Sequence, residues 1–332
     1  MVKTSLALRV PSGAGEEVRR LLARKGLLDP TREVRKAGDA ILFPLRRRPW
    51  LPPRSTRVVR VPLDVRERAA AEEALEELPL GAELIGDLAL LKVREESPAT
   101  PDEERRVAEA LLRARPRLKT VLRPETFTEG AYRTRAYRVV AGEPRTSTLY
   151  RENGFTFHVD LARAYFSPRL AAERARLAAL VGPGETVADL TAGGGYFTVQ
   201  AARRARRVVA CDANPAAVEL LRKNLELNRV ANVEVREGDL RKAVEEGSAD
   251  RAVLDFPTDP APFLEAARRV LRPGGVLHLY GVVPEGDPEA LARLLGERLR
   301  GDEVREVRRL RPYAPGKSLA VAEVVARAST AF

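Results

Sequence analysis

The feature that most constrains how this chain folds is a repeated alternation of strand and helix patterns in its C-terminal half. The apolar runs Val187–Thr191 and Val208–Cys211 are each followed by a segment with helical periodicity. Later apolar runs continue the alternation, at Val233–Val235, Ala252–Phe256 and Val276–Tyr280. Strands that alternate with helices in this way require a mostly parallel, doubly wound sheet. We therefore predict an α/β domain in this half of the chain.

The first of these strands ends in a glycine-rich turn, which favours a ligand site at the carboxyl edge of the sheet. Asp189 is followed by Gly193, Gly195 and the bulky Phe197. Glycines at such a bend let the backbone approach a ligand closely. A dinucleotide site normally needs a third glycine, and Thr198 occupies that position here. The turn thus resembles that of a class I S-adenosylmethionine-dependent methyltransferase, which has a Rossmann-like fold.

Polar residues at the next strand ends complete the predicted cofactor site. Asp212 follows the second strand, and a carboxylate there can accept both ribose hydroxyls. Asn214 and Pro215 then mark a usual helix start, and Asp239 follows the third strand, where it is placed to bind an adenine edge. We predict S-adenosylmethionine as the cofactor, with seven candidate ligands: Asp189, Gly193, Gly195, Phe197, Asp212, Asn214 and Asp239.

Charge and composition narrow the class of partner. Lys and Arg number 58 against 47 Asp and Glu, a net charge of +11. Most of the cations are arginine, whose planar fork suits phosphate, so a nucleic-acid partner fits; growth at high temperature gives the same composition, and both interpretations stay open. One Cys and two His argue against a metal centre. Without a membrane-length apolar run or a signal-peptide pattern, we expect a cytoplasmic protein.

Two smaller α+β regions are expected before the catalytic domain. Strand and helix patterns alternate in both, at Leu6–Val10, Gly15–Lys25, Asp39–Leu45, Arg57–Val61, Val65–Leu78, Leu88–Val93 and Asp102–Ala114. An Arg- and Pro-rich stretch with the only Trp separates them. We predict four segments: a small domain over 1–50, a linker over 51–56, a second α+β region over 57–150, and the cofactor-binding domain over 151–332.

Several sequence strings resemble one family of RNA-modifying enzymes. They are YFSPRLAAER at Tyr165–Arg174, LYRENG at Leu149–Gly154, GAYR at Gly130–Arg133 and VRRLLARKGLL at Val18–Leu28. Together they resemble the archaeal and eukaryotic tRNA guanine-37 N1-methyltransferases, whose close relatives are the wybutosine-pathway aminocarboxypropyltransferases. The resemblance implies methyl transfer to N1 of guanosine 37 in the anticodon loop. It also implies that residues 1–50 contact the outer corner of the tRNA. We expect the α+β region over 57–150 to bind RNA, and we expect a monomer.

The resemblance also implies roles for residues outside the cofactor site. Glu173 matches a general base and Arg133 a donor to guanine O6, while Arg169 and Arg174 would position the base or the RNA. From spacing alone, Arg169 and Glu173 are four residues apart and would share one face of a helix that begins after Pro168. Such a pair is more often an ordinary surface ion pair.

One position departs from the family pattern. Where the methyltransferases usually carry Asn-Leu-Pro, this chain has Asp255, Phe256 and Pro257. An ionised Asp255 cannot donate to O6, but it can accept from N1–H or from the exocyclic amine of guanine, or act as an additional base. We therefore predict Asp255 as a catalytic residue and Pro257 as a substrate contact.

The sequence is compatible with three functions. The first is N1 methylation of guanosine 37. The second is a wybutosine-pathway reaction with the same cofactor, either transfer of an aminocarboxypropyl group or methylation of a tricyclic guanine intermediate. Tyr196 slightly favours the aminocarboxypropyl relatives, because the methyltransferases often have Pro there. The third is a catalytically silent tRNA-binding protein. The intact set of Glu173, Arg133, Asp189 and Asp212 argues against the third.

Overall fold

The computed structural model describes residues 5–29, 32–47, 56–61, 81–92, 99–126, 132–299 and 301–327. The chain divides into two compact units. The first comprises Met1–Arg123 and Val139–Pro144, and the second comprises Pro124–Arg138 and Arg145–Phe332. In the described part of the chain, no helix is both long enough and apolar enough to span a membrane.

The first unit begins with a four-stranded antiparallel sheet in the order β2-β3-β1-β4. Its elements are β1 (Ser5–Pro11), α1 (Gly15–Arg24), β2 (Arg35–Ala37), β3 (Ala40–Pro44) and β4 (Arg57–Val61). Leu8, Val18, Leu22 and Phe43 are buried in one cluster between α1 and the sheet. The predicted strand Arg57–Val61 forms, but it pairs with β1 and so completes this first sheet instead of opening the second region. The predicted linker lies outside the described residues except for Thr56.

A second sheet of the first unit has the order β5-β6-β7-β8. Its elements are β5 (Ala82–Ile85), β6 (Leu88–Leu91), α2 (Pro101–Ala114), β7 (Thr120–Pro124) and β8 (Tyr137–Gly142). Helix α2 connects the parallel strands β6 and β7. It begins at a capping box, in which Thr100 Oγ1 accepts from the Glu103 N–H at 3.3 Å and the Glu103 carboxylate accepts from the Thr100 N–H at 2.7 Å. The predicted helix Val65–Leu78 lies outside the described residues.

The second unit opens with a hairpin of β9 (Ser147–Glu152) and β10 (Phe155–Asp160). Its two-residue turn is Asn153-Gly154, and both residues have positive φ, 50° and 84°. This is the turn type that matches the twist of paired strands. After β10, a 3₁₀ turn over Pro168–Leu170 leads into α3 (Ala171–Leu180).

A seven-stranded sheet forms the body of the second unit, in the order β13-β12-β11-β14-β15-β17-β16. Its elements are β11 (Thr186–Asp189), α4 (Tyr196–Ala202), β12 (Arg207–Asp212), α5 (Pro215–Leu227), β13 (Val233–Glu237), α6 (Leu240–Ala243), β14 (Ala249–Leu254), α7 (Leu264–Arg269), β15 (Leu271–Pro284), α8 (Glu289–Arg298), β16 (Glu303–Ala314) and β17 (Lys317–Val325). Strands β11 to β15 are parallel, whereas β16 and β17 are antiparallel. The predicted doubly wound α/β fold is confirmed.

The order of the strands fixes where a ligand can bind. From β11, the chain adds β12 and β13 on one side and then β14 and β15 on the other. The order therefore reverses between β11 and β14. In open α/β sheets, ligands bind outside the carboxyl ends of the strands at such a reversal.

Candidate active site

A cavity of about 320 Å³ opens at the carboxyl ends of β11 to β14. Its lining combines the segments that follow these strands with Tyr132–Arg133 and Ala164–Ser167. We call the wall formed by Gly193, Asp212, Asn214 and Asp239 the glycine-turn half. We call the wall formed by Arg133, Tyr165, Asp255 and Phe256 the arginine half.

The glycine turn uses its two predicted glycines for different purposes. Gly193 lines the cavity with φ +54°, and a Cβ there would meet no atom within 4 Å. Gly195, with φ +84°, is absent from the cavity lining, and a Cβ there would lie 2.4 Å from Leu221 Cδ1. Gly193 therefore leaves room for a ligand, whereas Gly195 lets α4 start against α5.

Asp212 is fixed at the end of β12 by backbone donors. Its Oδ2 accepts from the Gly193 N–H at 2.7 Å, and its Oδ1 accepts from the Asn214 N–H at 2.9 Å. Burial raises the pKa of Asp212, while these two N–H groups act in the opposite direction. Because each oxygen keeps a lone pair, the carboxylate can still accept two hydroxyl groups from a ligand.

The other polar groups of the glycine-turn half cap helices. Asn214 Oδ1 accepts from the Ala216 N–H at 3.0 Å, and its Nδ2 donates to Arg163 O at 2.8 Å. Asp239 caps α6 and accepts from Arg241 Nε at 2.9 Å, and this hydrogen bond lowers the pKa of its carboxyl. Both residues line the cavity, at positions set by the helix starts.

Asp189 lies behind the turn, outside the cavity lining. Only 1% of the residue is exposed, and its Oδ2 accepts from Thr198 Oγ1 at 2.6 Å. Burial raises the pKa of Asp189 to about 7. Thr198, which stands where a dinucleotide site would have glycine, thus ties α4 to the end of β11.

Arg133 dominates the arginine half. Its backbone has φ +53°, a conformation that non-glycine residues rarely adopt. The guanidinium carbon lies 4.8 Å from the centre of the Tyr165 ring and 5.6 Å from that of Phe256. Nη2 is 3.4 Å from the hydroxyl of Tyr313. Cation–π contacts thus hold a positive charge at the cavity wall.

Asp255 lies directly after β14 and also lines the cavity. Its N–H donates to Thr191 Oγ1 at 2.8 Å, which joins this strand end to the glycine turn. Burial raises the pKa of its carboxyl, against the opposite effect of the nearby Arg133. Asp255, which stands where the family usually has Asn, therefore lines the cavity.

Glu173 does not line the cavity, although its neighbours Leu170 and Arg174 do. The predicted helix after Pro168 forms as α3 from Ala171, and a 3₁₀ turn over Pro168–Leu170 precedes it, so Arg169 lies in that turn and Glu173 in the first turn of the helix. Glu173 is 6% exposed, and Arg176, Arg308 and Tyr280 donate to its carboxylate. Burial opposes its ionisation, but the hydrogen bonds from Arg176 and Arg308 outweigh burial and lower its pKa.

The three predicted substrate contacts are also placed differently. Arg174 lines the cavity, but its guanidinium is held by Glu152 at 2.5 and 2.6 Å and by Ser167 O at 3.1 Å. Pro257 is buried, and its carbonyl accepts from the Val282 N–H at 2.8 Å. Arg169 and Pro257 are outside the cavity lining. Arg174 therefore shapes the wall through its ion pair with Glu152.

Sequence reasoning missed four residues of the site: Tyr132, Tyr165, Thr191 and Tyr313. Tyr165 was part of the string that carried the family resemblance, and Thr191 directly precedes the glycine turn. Tyr132 is 49% exposed where it lines the cavity. Tyr313 comes from β16, and no spacing in the sequence connects it to Arg133.

The donor set fits S-adenosylmethionine. Asp212 offers acceptors for hydroxyl groups beside the glycine turn. Phe197, 7% exposed, supplies an apolar wall. Tyr196 also lines the cavity, and its buried hydroxyl has no hydrogen-bond partner among the described residues.

Comparison with models of known protein families gives matches to three segments of the chain. A family model described as the TRM5/TYW2 methyltransferase domain matches residues 148–299. Models described as the TYW2 N-terminal domain and the tRNA methyltransferase 5 N-terminal domain match residues 66–146 and 7–49.

Individual relatives cover nearly the whole chain. The tRNA (guanine(37)-N(1))-methyltransferase Trm5b of Pyrococcus abyssi is 37% identical over 328 residues, which cover 94% of this chain and 96% of that protein. The crystal structure of Trm5b from Pyrococcus abyssi has a TM-score of 0.70 at 34% identity, covering 98% of this chain and 100% of that chain. The complex of aTrm5 with tRNALeu has a TM-score of 0.78 at 26% identity, covering 96% and 99%. The chain therefore belongs to the Trm5 family of S-adenosylmethionine-dependent tRNA methyltransferases, to which the TYW2 transferases are related.

Proposed function

We propose that this chain transfers a methyl group from S-adenosylmethionine to N1 of guanosine 37 in tRNA. The observation that carries the proposal is the composition of the cavity, whose lining contains the carboxylates Asp212 and Asp255 and the cation Arg133. The similarity to Trm5b supports the same reaction.

The glycine-turn half is proposed to hold the cofactor, which supplies an electrophilic methyl group when bound. Asp212 accepts the ribose hydroxyls, and Asn214 and Asp239 flank the nucleoside. Gly193 gives the ligand room, and Phe197 packs against it. Asp189 and Gly195 act from behind the turn by fixing α4 and the end of β11.

The arginine half is proposed to hold the guanine. Methylation at N1 requires loss of the N1 proton, and negative charge then develops on O6. Arg133 meets that charge with a guanidinium held between Tyr165 and Phe256. The resemblance assigns the proton to Glu173, and Arg169, Arg174 and Pro257 are proposed to shape the base pocket.

A stacked anticodon base has to leave its stack to enter this cavity. Tyr132, which is half exposed at the cavity, offers a ring on which a neighbouring base can stack. Such stacking is worth about 1–3 kcal/mol per base. The extruded guanine would then be enclosed by aromatic side chains of the arginine half.

The proposal is tested by mass spectrometry of a guanosine-37 tRNA transcript incubated with the protein and S-adenosylmethionine. We expect a gain of one methyl group, and none on a control transcript that carries adenosine at position 37. A gain of an aminocarboxypropyl group would instead support the wybutosine-type transfer, which Tyr196 beside Gly195 slightly favours. No gain on either transcript contradicts both reactions.

The proposal also includes a cytoplasmic monomer whose N-terminal sheet contacts the outer corner of the tRNA. Because β4 pairs with β1, the deletion that removes this sheet cleanly covers residues 1–61. We expect it to weaken binding of full-length tRNA and to spare a minimal anticodon stem-loop. Equal losses on both RNAs would argue against contact with the outer corner.

A further inference from the structure

Glu173, to which the resemblance assigns the N1 proton, is held by three donors in the structure. Its Oε1 accepts from Arg176 Nη2 at 2.8 Å and from the Tyr280 hydroxyl at 3.0 Å. Its Oε2 accepts from Arg176 Nε at 3.0 Å and from Arg308 Nη2 at 2.7 Å. Burial opposes ionisation of Glu173, but the hydrogen bonds from the two arginines outweigh burial and lower its pKa. The arginines therefore keep Glu173 ionised, and they also oppose its protonation.

Each of these two arginines has a second carboxylate near it. Arg176 Nη1 donates to Glu323 Oε1 at 2.7 Å, and the Glu323 side chain is 18% exposed. Arg308 Nε lies 4.0 Å from Glu306 Oε1, and the Glu306 side chain is 54% exposed. Water screens a charge as exposed as that of Glu306, whereas a mostly buried carboxylate in direct contact keeps most of its effect. Glu323 is therefore a strong second counter-ion for Arg176.

The Glu323 carboxylate also faces a histidine that carries no charge. His278, its partner on the neighbouring strand β15, is fully buried, and its Nδ1 lies 3.5 Å from Glu323 Oε1. His278 Nε2 is 2.6 Å from Arg251 Nη1 and must accept, because arginine only donates, so the ring proton lies on Nδ1. Burial, reinforced by nearby arginines, lowers the pKa of His278 to about 3. Among the described residues, Arg176 is therefore the cation that contacts Glu323.

We infer that Glu323 is a positioning residue for the methyl transfer, which keeps Arg176 paired while Glu173 takes the N1 proton of guanine. This inference rests on the proposed function. The N1–H bond breaks, its proton moves to a Glu173 oxygen, and its electron pair stays on N1. N1 then bonds to the methyl carbon, and the electron pair of the broken C–S bond stays on sulfur. Glu173 later releases the proton to water.

The balance of charge explains why a second carboxylate helps this step. Before the transfer, the cations Arg176 and Arg308 face the carboxylates Glu173 and Glu323. Once Glu173 is protonated, Arg176 would be a partly buried cation without a counter-ion if Glu323 were neutral, and such a state is costly. Glu323 also gives Arg176 an acceptor when Glu173 turns to the guanine. Glu323 therefore makes Glu173 a stronger base at the moment when N1 loses its proton.

The test is a double-mutant cycle on the single-turnover methylation rate of a guanosine-37 transcript, with cofactor and tRNA saturating. It compares the native protein with Glu323→Gln, Glu173→Gln and the double variant. An amide oxygen can still accept from Arg176, so Glu323→Gln removes the charge and keeps the contact. The matched control is Glu306→Gln, which removes the exposed second carboxylate beside Arg308. Calorimetric cofactor binding and thermal melting check that each variant is folded.

We expect Glu323→Gln to lower the rate by about 3- to 10-fold, because a weaker base takes the proton more slowly. Glu173→Gln should lower it by about 10² or more. Adding Glu323→Gln to Glu173→Gln should cost nothing further, because Glu323 acts through the charge of Glu173. Cofactor and tRNA affinities should stay at native values, and Glu306→Gln should change the rate by less than about twofold.

Losses that multiply in the double variant would overturn the inference, since Glu323 would then act independently of Glu173. An unchanged rate in Glu323→Gln or in Glu173→Gln would also overturn it, as would a loss caused by weaker cofactor or tRNA binding. Glu323→Asp keeps a negative charge beside Arg176 and should be faster than Glu323→Gln, so equal rates in these two variants would contradict the role of the charge. If the native protein does not methylate the transcript, the proposed function itself fails.

Discussion

The two halves of the cavity are held in place by different forces. In the glycine-turn half, Asp212 is fixed by two backbone N–H groups and Asn214 caps a helix. In the arginine half, Arg133 is held by the rings of Tyr165 and Phe256, and its backbone is strained. The first half is built from consecutive strand ends, whereas the second joins segments that are far apart in the chain.

This difference indicates that the two halves bind different partners in the reaction. Groups fixed by the backbone suit a cofactor that has the same shape in every turnover. Groups held by side-chain contacts suit a base that must enter and leave, because their position depends on packing around the substrate. Substitutions in the arginine half should therefore change the transfer rate, and substitutions in the glycine-turn half should change cofactor affinity.

Arg133→Ala should have the largest effect. Loss of one preorganised donor to a developing oxyanion costs about 10²–10³ in rate, and cofactor affinity should stay unchanged. Single-turnover kinetics and calorimetry measure the two quantities. Arg133→Lys, which keeps the charge but loses the planar contact with the rings, should lie between native protein and Arg133→Ala. A large loss of cofactor affinity in Arg133→Ala would contradict the separate roles of the two halves of the cavity.

Asp212→Ala should act on the cofactor. Hydrogen bonds to a charged group are worth about 1.5–3 kcal/mol, so affinity should fall by about 10- to 100-fold. Calorimetry measures the loss, and thermal melting checks that the protein remains folded. Asp239→Asn serves as the comparison, because Arg241 already occupies that carboxylate, and its effect should be smaller. Unchanged affinity in Asp212→Ala would remove this residue from the site.

Gly193→Ala should have the smallest effect. The positive φ of Gly193 costs an alanine about 1–2 kcal/mol, but its Cβ meets no atom within 4 Å. We expect a modest drop in melting temperature and weaker cofactor binding. Gly195→Ala should lower the melting temperature further, since its Cβ would lie 2.4 Å from Leu221 Cδ1. Equal destabilisation by both would contradict the separate roles of the two glycines.

The difference between the two halves also explains which residues of the site could be predicted from the sequence. The glycine turn, Asp212 and Asn214 follow strand ends in order, so apolar runs followed by helix starts were enough to place them. Arg133 and Tyr313 meet only through tertiary packing, and Arg133 could be singled out only by family resemblance. The pairing of Glu173 with Arg308 of β16 was invisible for the same reason.

Strand β16 cannot be recognised from its sequence pattern, because its pairing with β17 is irregular. Its inward-facing apolar residues are Val304, Val307, Leu310 and Tyr313, at a spacing of three that is closer to a helix than to a strand. The pairing with β17 shifts register three times, and each extra residue displaces the alternation. A pattern of period two could not reveal this strand.

The central claim is that the cavity directs methylation to N1 of guanosine 37. The most direct measurement digests the reacted tRNA to nucleosides and compares the modified guanosine with authentic 1-methylguanosine by chromatography and fragmentation. We predict co-elution with 1-methylguanosine from the native protein and its near absence from Arg133→Ala under the same conditions. A methyl group on the exocyclic amine, or an aminocarboxypropyl product, would contradict the account.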